Sequence, residues 1–440
     1  MSTPGTTPPD GVRIDEAGLL AFTRDLVRAR SVHDPAAGLT EQPAADLVAA
    51  RMRGYGWDPV IQEAAPGRPN VIAFVDGAGG GPGRDGPLLA FVGHTDVVTE
   101  GDRADWTTDP FGGEIRDGKL FGRGSADMKS GLAAAIFAVR ALQEAGPFPG
   151  RIAVCALADE EELMLGAKHL AATGLLAGAA GAIICEPEGG EICTIAKGAI
   201  RLRADLHGHM AHGAMPHLGR NPLAAAAQLV AAAAGLQAEL RAEHGLAGDL
   251  DTVSITPTAI AGGDSRQVNV IPGHAAVYLD IRTIPVVDHG ILLERLTQLA
   301  RQAAAASGVG VTLTVLDDRP AVEVRRDHPV VAALSAAHLQ VHGQSAPFGI
   351  VPGTTDGTIL TRDAGLPTVV YGPGGKWIAH QADEFVEIAE LGQYARVYAE
   401  AARQFLASAG NSSPGQADRR HAGAEAGGAN AGGAGDGGTA

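Results

Sequence analysis

Seven residues able to bind metal or move protons lie just behind short apolar stretches or in a glycine-rich turn. "FVGHTD" sets His94 and Asp96 behind one apolar run, and "ALADEE" sets Glu160 and Glu161 behind a second. "IICEPEG" sets Glu186 behind a third, and "VVYGPGGKWIAH" carries His380 beyond a fourth. "GRGSADMKSG" adds Asp127, where glycines let the backbone turn tightly around a carboxylate. His94, Asp127, Glu161, Glu186 and His380 together offer two imidazoles and three carboxylates, a donor set that suits Zn²⁺, with Co²⁺ or Mn²⁺ as substitutes. Five ligands exceed what one catalytic zinc takes beside its water, so the expectation is two ions sharing one carboxylate.

Singly, each of these features has an ordinary reading. An exposed His beside an Asp is commonly a solvated loop, and adjacent glutamates commonly lie on a solvated helix face. The glycine-rich loop lacks the GxxxxGK[ST] pattern, and Asp127 would repel a phosphate, so a phosphate loop is rejected. What favours a metal is the ordered set, each member just past an apolar run or a tight turn.

Such residues need elements that end at one place. The runs "NVIAFV", "PLLAFVGH", "RIAVCALA", "GAIICE" and "PTVVYG" read as buried strands, and residues 132–145, 163–172 and 328–342 as helices. Alternation of this kind predicts an α/β layered domain, whose ligands gather outside the carboxyl ends of the strands. From Ala199 the order becomes βαββαβ, the ferredoxin-like arrangement, with Asn221 and Pro222 opening its first helix. The α/β pattern resumes near Arg319, which marks residues 199–318 as an insertion between 13–198 and 319–408. The Pro/Thr/Gly-rich residues 1–12 and the Gly/Ala/Ser-rich residues 409–440 read as disordered tails.

The formal charge of −16 and a sequence pI near 5.3 argue against nucleic acid or an anionic membrane surface as the main partner. Cys155, Cys185 and Cys193 form neither a CxxC pair nor a disulfide framework, which fits a reducing compartment. No basic start followed by an apolar run opens the chain, and the apolar run from Leu223 to Leu236 is short for a bilayer, so the expected location is cytoplasmic.

The ordered motifs "GHTDVV", "WTTDPFGG", "LFGRGSADMKSG", "DEE", "CEPEG", "GHMAHGAMPH", "NVIPGHAAVYLDIR", "GTTDG" and "GPGGKWIAHQADEFV" resemble those of the M20 metallopeptidases and deacylases, over roughly residues 13 to 408. That family includes acetylornithine deacetylase, succinyl-diaminopimelate desuccinylase, aminoacylase-1 and carboxypeptidase G2. The resemblance implies a mixed-sheet, three-layer catalytic domain with the inserted domain as lid and dimerisation domain. It implies that Asp127 bridges two metals, with His94 and Glu186 on one and Glu161 and His380 on the other. Asp96 resembles the carboxylate that orients the metal-bound histidine. Glu160 resembles the general base for a water activated by the metals.

His212 matches a family histidine that crosses from a partner subunit to stabilise the oxyanion, so a homodimer is implied. Asn269 and Arg282 resemble lid residues that hold a substrate carboxylate, and Gly353 and Thr354 a loop lining the same pocket. The implied activity is hydrolysis of a small N-acyl amino acid, with a dipeptidase or carboxypeptidase as the alternative and an inactive metal-stabilised binding protein as a remote one. Two departures stand out. Glu162 to Leu165 precede Gly166, where the family commonly has glycine sooner, and Ala196 and Lys197 stand where desuccinylases tend to carry arginine. The second argues against succinyl-diaminopimelate as substrate. Of the acids flanking the glutamate pair, Asp159 is expected to support the turn and Glu162 to open the next helix.

Overall fold

The computed structural model describes residues 12–77, 86–245 and 252–409. Apart from their innermost residues, the two predicted tails lie outside that range.

Each apolar run found in the sequence is a strand of one mixed sheet. In spatial order its strands are Val60–Ala65, Arg68–Asp76, Arg151–Leu157, Leu88–His94, Ala179–Ile184, Thr368–Val370, Ile192–Ala196 and Val322–Glu323, with Phe348–Val351 also paired to Ile192–Ala196. Leu88–His94 runs parallel to both of its neighbours, and Arg68–Asp76 joins Arg151–Leu157 antiparallel, with Val60–Ala65 outside it at the edge. The runs are unbroken because both faces are covered. Leu89 and Phe91 enter a core shared with helices Glu16–Arg28, Gln42–Gly54, Lys129–Ala145, Pro329–His342 and Ile388–Ala409. Leu88, Ala90 and Val92 enter the opposite core, under helices Leu165–Thr173 and Asp356–Ala364. Alternating side chains thus feed two layers, and from Leu88 to Val92 both faces are apolar.

The inserted unit has a core of its own. Strands Gly198–His207, Ser254–Gly262, His274–Thr283 and Gly310–Arg319 form an antiparallel sheet in which Gly198–His207 and His274–Thr283 are central. Ile200, Leu202, Ala204 and Leu206 point at helices Pro222–His244 and His289–Ala306. Asn221 caps the first of these, its side chain accepting from the Leu223 N–H at 3.0 Å with Pro222 in the first turn. That helix is longer than the apolar run suggested: at 23 residues it is long and apolar enough to cross a membrane. Here Ala225, Leu229, Ala233, Leu236 and Leu240 instead pack it on the sheet.

The three cysteines are free and buried. Beneath the sheet Tyr371 donates or accepts at 2.7 Å with His338 Nδ1, and His338 stacks on His342 with ring centroids 4.3 Å apart. Burial, aided by the neighbouring His342, pushes His338 down to about 4. An unfolded chain would hold a proton there near its ordinary value of about 6.5. Between these values the unfolded state binds the extra proton, so stability is present above pH 6.5 and falls as pH drops toward 4. In His338→Asn, unfolding free energy measured from pH 7 to 4.5 should fall less steeply, by up to roughly one proton's worth of slope. An unchanged slope would remove His338 from this role.

Candidate metal centre and substrate pocket

The site begins where two parallel strands leave the sheet side by side. His94 pairs with Leu157 at the strand ends, and the Thr95 N–H donates to the Leu157 carbonyl at 2.8 Å. Asp96 then ties the two exits together. Its carboxylate accepts from the Glu160 N–H at 3.2 Å and the Glu161 N–H at 3.0 Å. His94 Nδ1 lies 3.0 Å from the Asp96 carbonyl oxygen, whereas the nearest carboxylate oxygen is 3.5 Å away. The backbone is therefore the closer acceptor for an Nδ1 proton, which leaves the Nε2 lone pair facing the other donors.

Asp127 is presented by the glycine-rich turn. Gly124 has φ +84°, and a Cβ there would sit 2.6 Å from Val97 Cγ1, so only glycine fits. Glu384 accepts from the Ala126 N–H at 2.9 Å and the Asp127 N–H at 3.0 Å through one oxygen. Its other oxygen pairs with Arg123 at 2.5 Å, and Arg123 also donates to the His380 carbonyl at 3.2 Å. One buried ion pair thus holds the backbones of both Asp127 and His380.

The side chains meet as two groups. Asp127 Oδ1 lies 3.2 Å from His94 Nε2, which is 3.4 Å from Glu186 Oε1. Asp127 Oδ2 lies 3.3 Å from His380 Nε2, which is 3.0 Å from Glu161 Oε2. A single carboxylate therefore turns one oxygen to each imidazole. Glu160 is buried and makes a third cluster with His94 and Glu186.

The electrostatics are those of a site short of positive charge. Burial, then the neighbouring Glu186, raises Glu160 well above the usual carboxylate range. Burial, then Asp127, pushes Glu186 up to about 8. Burial opposes charge on Asp127 as well, but its contacts to His380 and His94 hold it far below the usual range. Hydrogen bonds to Asp127 and Glu161 raise His380 to about 10. Among the described residues no lysine or arginine pairs with Asp127, Glu160, Glu161 or Glu186. Imidazole and carboxylate donors converging without a lysine or arginine among them are what divalent ions require.

Asp127, Glu160, Glu161, Glu186 and His380 line a cavity of about 260 Å³ together with Pro187, Glu188, Val351 to Thr355, Lys376 and Ala379, and His94 lies buried behind them. A family model described as Peptidase family M20/M25/M40 matches residues 90–404. The chain belongs to this family. A succinyl-diaminopimelate desuccinylase from Cereibacter sphaeroides is 30% identical over 402 residues, covering 88% of this chain and 99% of that protein. A tripeptidase from Staphylococcus aureus shares the fold with a TM-score of 0.71 at 21% identity, over 90% of this chain and 99% of that one. So does a dinuclear metal-binding M20 peptidase from Bacillus subtilis, with a TM-score of 0.66 at 18% identity, over 89% and 98%.

In this M20 chain Gly353 and Thr354 line the cavity, and Thr354 Oγ1 accepts from Arg319 at 3.2 Å. The other motif residues of the inserted domain do not reach it within one chain. His212 and Asn269 lie together on a small exposed ribbon, where the Gly213 N–H donates to the Asn269 carbonyl at 2.7 Å. His212 Nδ1 accepts from the Ala214 N–H at 3.1 Å. Arg282 pairs with Asp280, two residues back on the same face of its strand, at 2.7 Å. Lys197 is buried and donates to the Thr252 carbonyl at 3.2 Å, outside the cavity lining.

The four acids at the strand end resolve into separate environments. Asp159 takes φ +67°, turning the chain, and accepts from the Leu163 and Leu165 N–H groups at 3.2 and 3.1 Å. Arg68, buried, meets Asp159 at 2.5 Å and donates to Glu41 at 2.7 Å. Glu162 does not open the following helix, which runs Leu165–Thr173; it faces His33 at 3.1 Å and Arg68 at 3.7 Å. The added residues after the glutamate pair delay the helix, so the dipole expected to favour Glu162 is replaced by two cationic or hydrogen-bonding partners. Sequence reasoning assigned no role to Arg68, Arg123 or Glu384. Each acts through a partner far along the chain, and no local spacing announces it.

Proposed function

We propose that this M20 chain is a di-metal amidohydrolase that removes the acyl group from N-acyl amino acids. The observation that carries the reading is Asp127 dividing its two oxygens between His94 and His380, with Glu186 and Glu161 beside them. His94, Asp127 and Glu186 would hold one ion, and Asp127, Glu161 and His380 the other, with zinc as the resident metal and cobalt or manganese as substitutes. Such ions, when bound, lower the pKa of water and polarise an amide carbonyl. Glu160 takes the proton of the attacking water and returns it to the leaving nitrogen. Asp96 holds Glu160 and Glu161 by their backbones and His94 by its ring, so base and donors keep one geometry.

The desuccinylase relative supports a deacylase. Cleavage of a peptide bond, as by a dipeptidase or carboxypeptidase, uses the same groups and is the second reading, favoured by the tripeptidase of the same fold. A protein that only binds metal has no use for Glu160 in the cavity, which weighs against an inactive scaffold. His212 and Asn269, remote from the cavity within one chain, fit a homodimer in which a partner's lid completes the oxyanion site and Asn269 with Arg282 meets the substrate carboxylate. A cytoplasmic setting suits the three free buried thiols.

Hydrolysis of N-acetyl amino acids, N-succinyl amino acids and dipeptides, measured on the purified protein, tests this directly. Thorough chelation should lower turnover by orders of magnitude, and added zinc or cobalt should restore it, with metal content rising in parallel. Turnover that survives chelation, or protein that takes up no divalent ion, would sink the reading.

A further inference from the structure

One wall of the cavity carries an ion pair that the metal centre does not use. Lys376 Nζ lies 2.7 Å from Glu188 Oε2 and 2.7 Å from Glu191 Oε2, and donates to the Ile350 carbonyl at 3.4 Å. An ammonium has three protons, so these partners engage all of them, and Lys376 keeps none for a substrate carboxylate. Its effect is to clamp Glu188. The Cys193 thiol, 3.1 Å away, also donates to Glu188 Oε2.

Both contacts fall on the same oxygen. Glu188 Oε1 has no hydrogen-bond partner among the described residues, although Glu188 is only 3% exposed and lines the cavity that Glu160, Glu161 and His380 also line. Glu188 and Glu191 bring two negative charges against the single positive charge of Lys376. A carboxylate oxygen without a protein donor, beside one surplus negative charge in a cavity wall, is matched by a positively charged donor.

We propose that Glu188, held in place by Lys376, is a specificity residue that binds a primary ammonium group of the substrate away from the scissile amide. The inference rests on the cavity being the substrate pocket of the amidohydrolase proposed above. The ammonium has two sources of the same chemistry: the side chain of a basic amino acid, or the free N-terminus of a peptide.

Two matched pairs separate them. Nα-acetyl-L-lysine against Nα-acetyl-L-norleucine reads the side-chain source, and glycyl-L-leucine against N-propionyl-L-leucine reads the N-terminal one. In one pair the wild-type protein should favour the ammonium member in kcat/KM by at least about tenfold, the worth of one hydrogen bond between charged groups, with the difference mainly in KM. In Glu188→Gln that ratio should collapse to less than about threefold, because the amide keeps the shape and loses the charge.

Calorimetry of the same four compounds on Glu160→Gln and on Glu160→Gln/Glu188→Gln reads binding without turnover. It should show the same preference and the same loss. If the wild type hydrolyses none of the four, the amidohydrolase reading suffers, while the binding preference still decides the role of Glu188. No preference in either pair, or a preference that survives Glu188→Gln, overturns the proposal. Should Glu188→Gln fail to fold, the wild-type preference alone still decides, since its absence refutes the subsite.

Discussion

Glu160→Gln should lower kcat by about 10²–10⁴-fold, the usual worth of a positioned general base, while KM, metal content and melting temperature stay near wild type. The carboxylate is buried at the strand end, and no ion pair or structural hydrogen bond of its side chain lies among the described residues, so an amide of the same shape costs the fold little. Its backbone N–H, which Asp96 accepts, is unchanged by the substitution. What the variant loses is the ability to take and deliver a proton. Steady-state kinetics with metal analysis of the same preparation checks this, and turnover within a few-fold of wild type would take Glu160 out of the mechanism.

Glu384→Ala should be the more damaging change to the molecule as a whole. Glu384 and Arg123 are both almost fully buried, and they pair at 2.5 Å. Removing one partner of a buried pair leaves an uncompensated charge, at a cost of about 3–5 kcal/mol. It also leaves the Ala126 and Asp127 N–H groups without their acceptor. Because Arg123 also donates to the His380 carbonyl, the loss reaches both groups of donors. Metal content per chain should therefore fall together with stability, measured by urea unfolding and by elemental analysis on the fraction that remains folded. Glu384→Gln keeps an acceptor for the two N–H groups and should recover part of the metal binding. A Glu384→Ala protein with full metal content would show that the turn holds Asp127 without it.

The fold was legible to the extent that burial imposes pattern. Strands covered on both faces must be apolar throughout, so "PLLAFVGH" and "RIAVCALA" declared themselves, and the first polar residue after each marked the strand end. The βαββαβ order of the inserted sheet was legible for a related reason: one covered face gives alternation, as in Ile200, Leu202, Ala204 and Leu206. The start of the helix after the glutamate pair was misplaced by two residues. Asp159 caps N–H groups through a left-handed turn that apolar spacing does not encode.

The sequence by itself determined the donor types and their places, because these follow from local chemistry, glycine spacing and the end of an apolar run. His94, Glu161 and Glu186 stand near the ends of strands, Asp127 in a glycine-rich turn and His380 in the loop beyond a strand. It also carried the family resemblance that assigned them roles. Only the tertiary structure decided which oxygen of Asp127 faces which imidazole. Only there does it emerge that Glu384 holds Asp127, that Arg68 pairs with Asp159, and that Lys376 clamps Glu188. These partners are brought together by the packing of strands and loops distant in sequence, and an ion pair between such residues leaves no periodic trace in the chain.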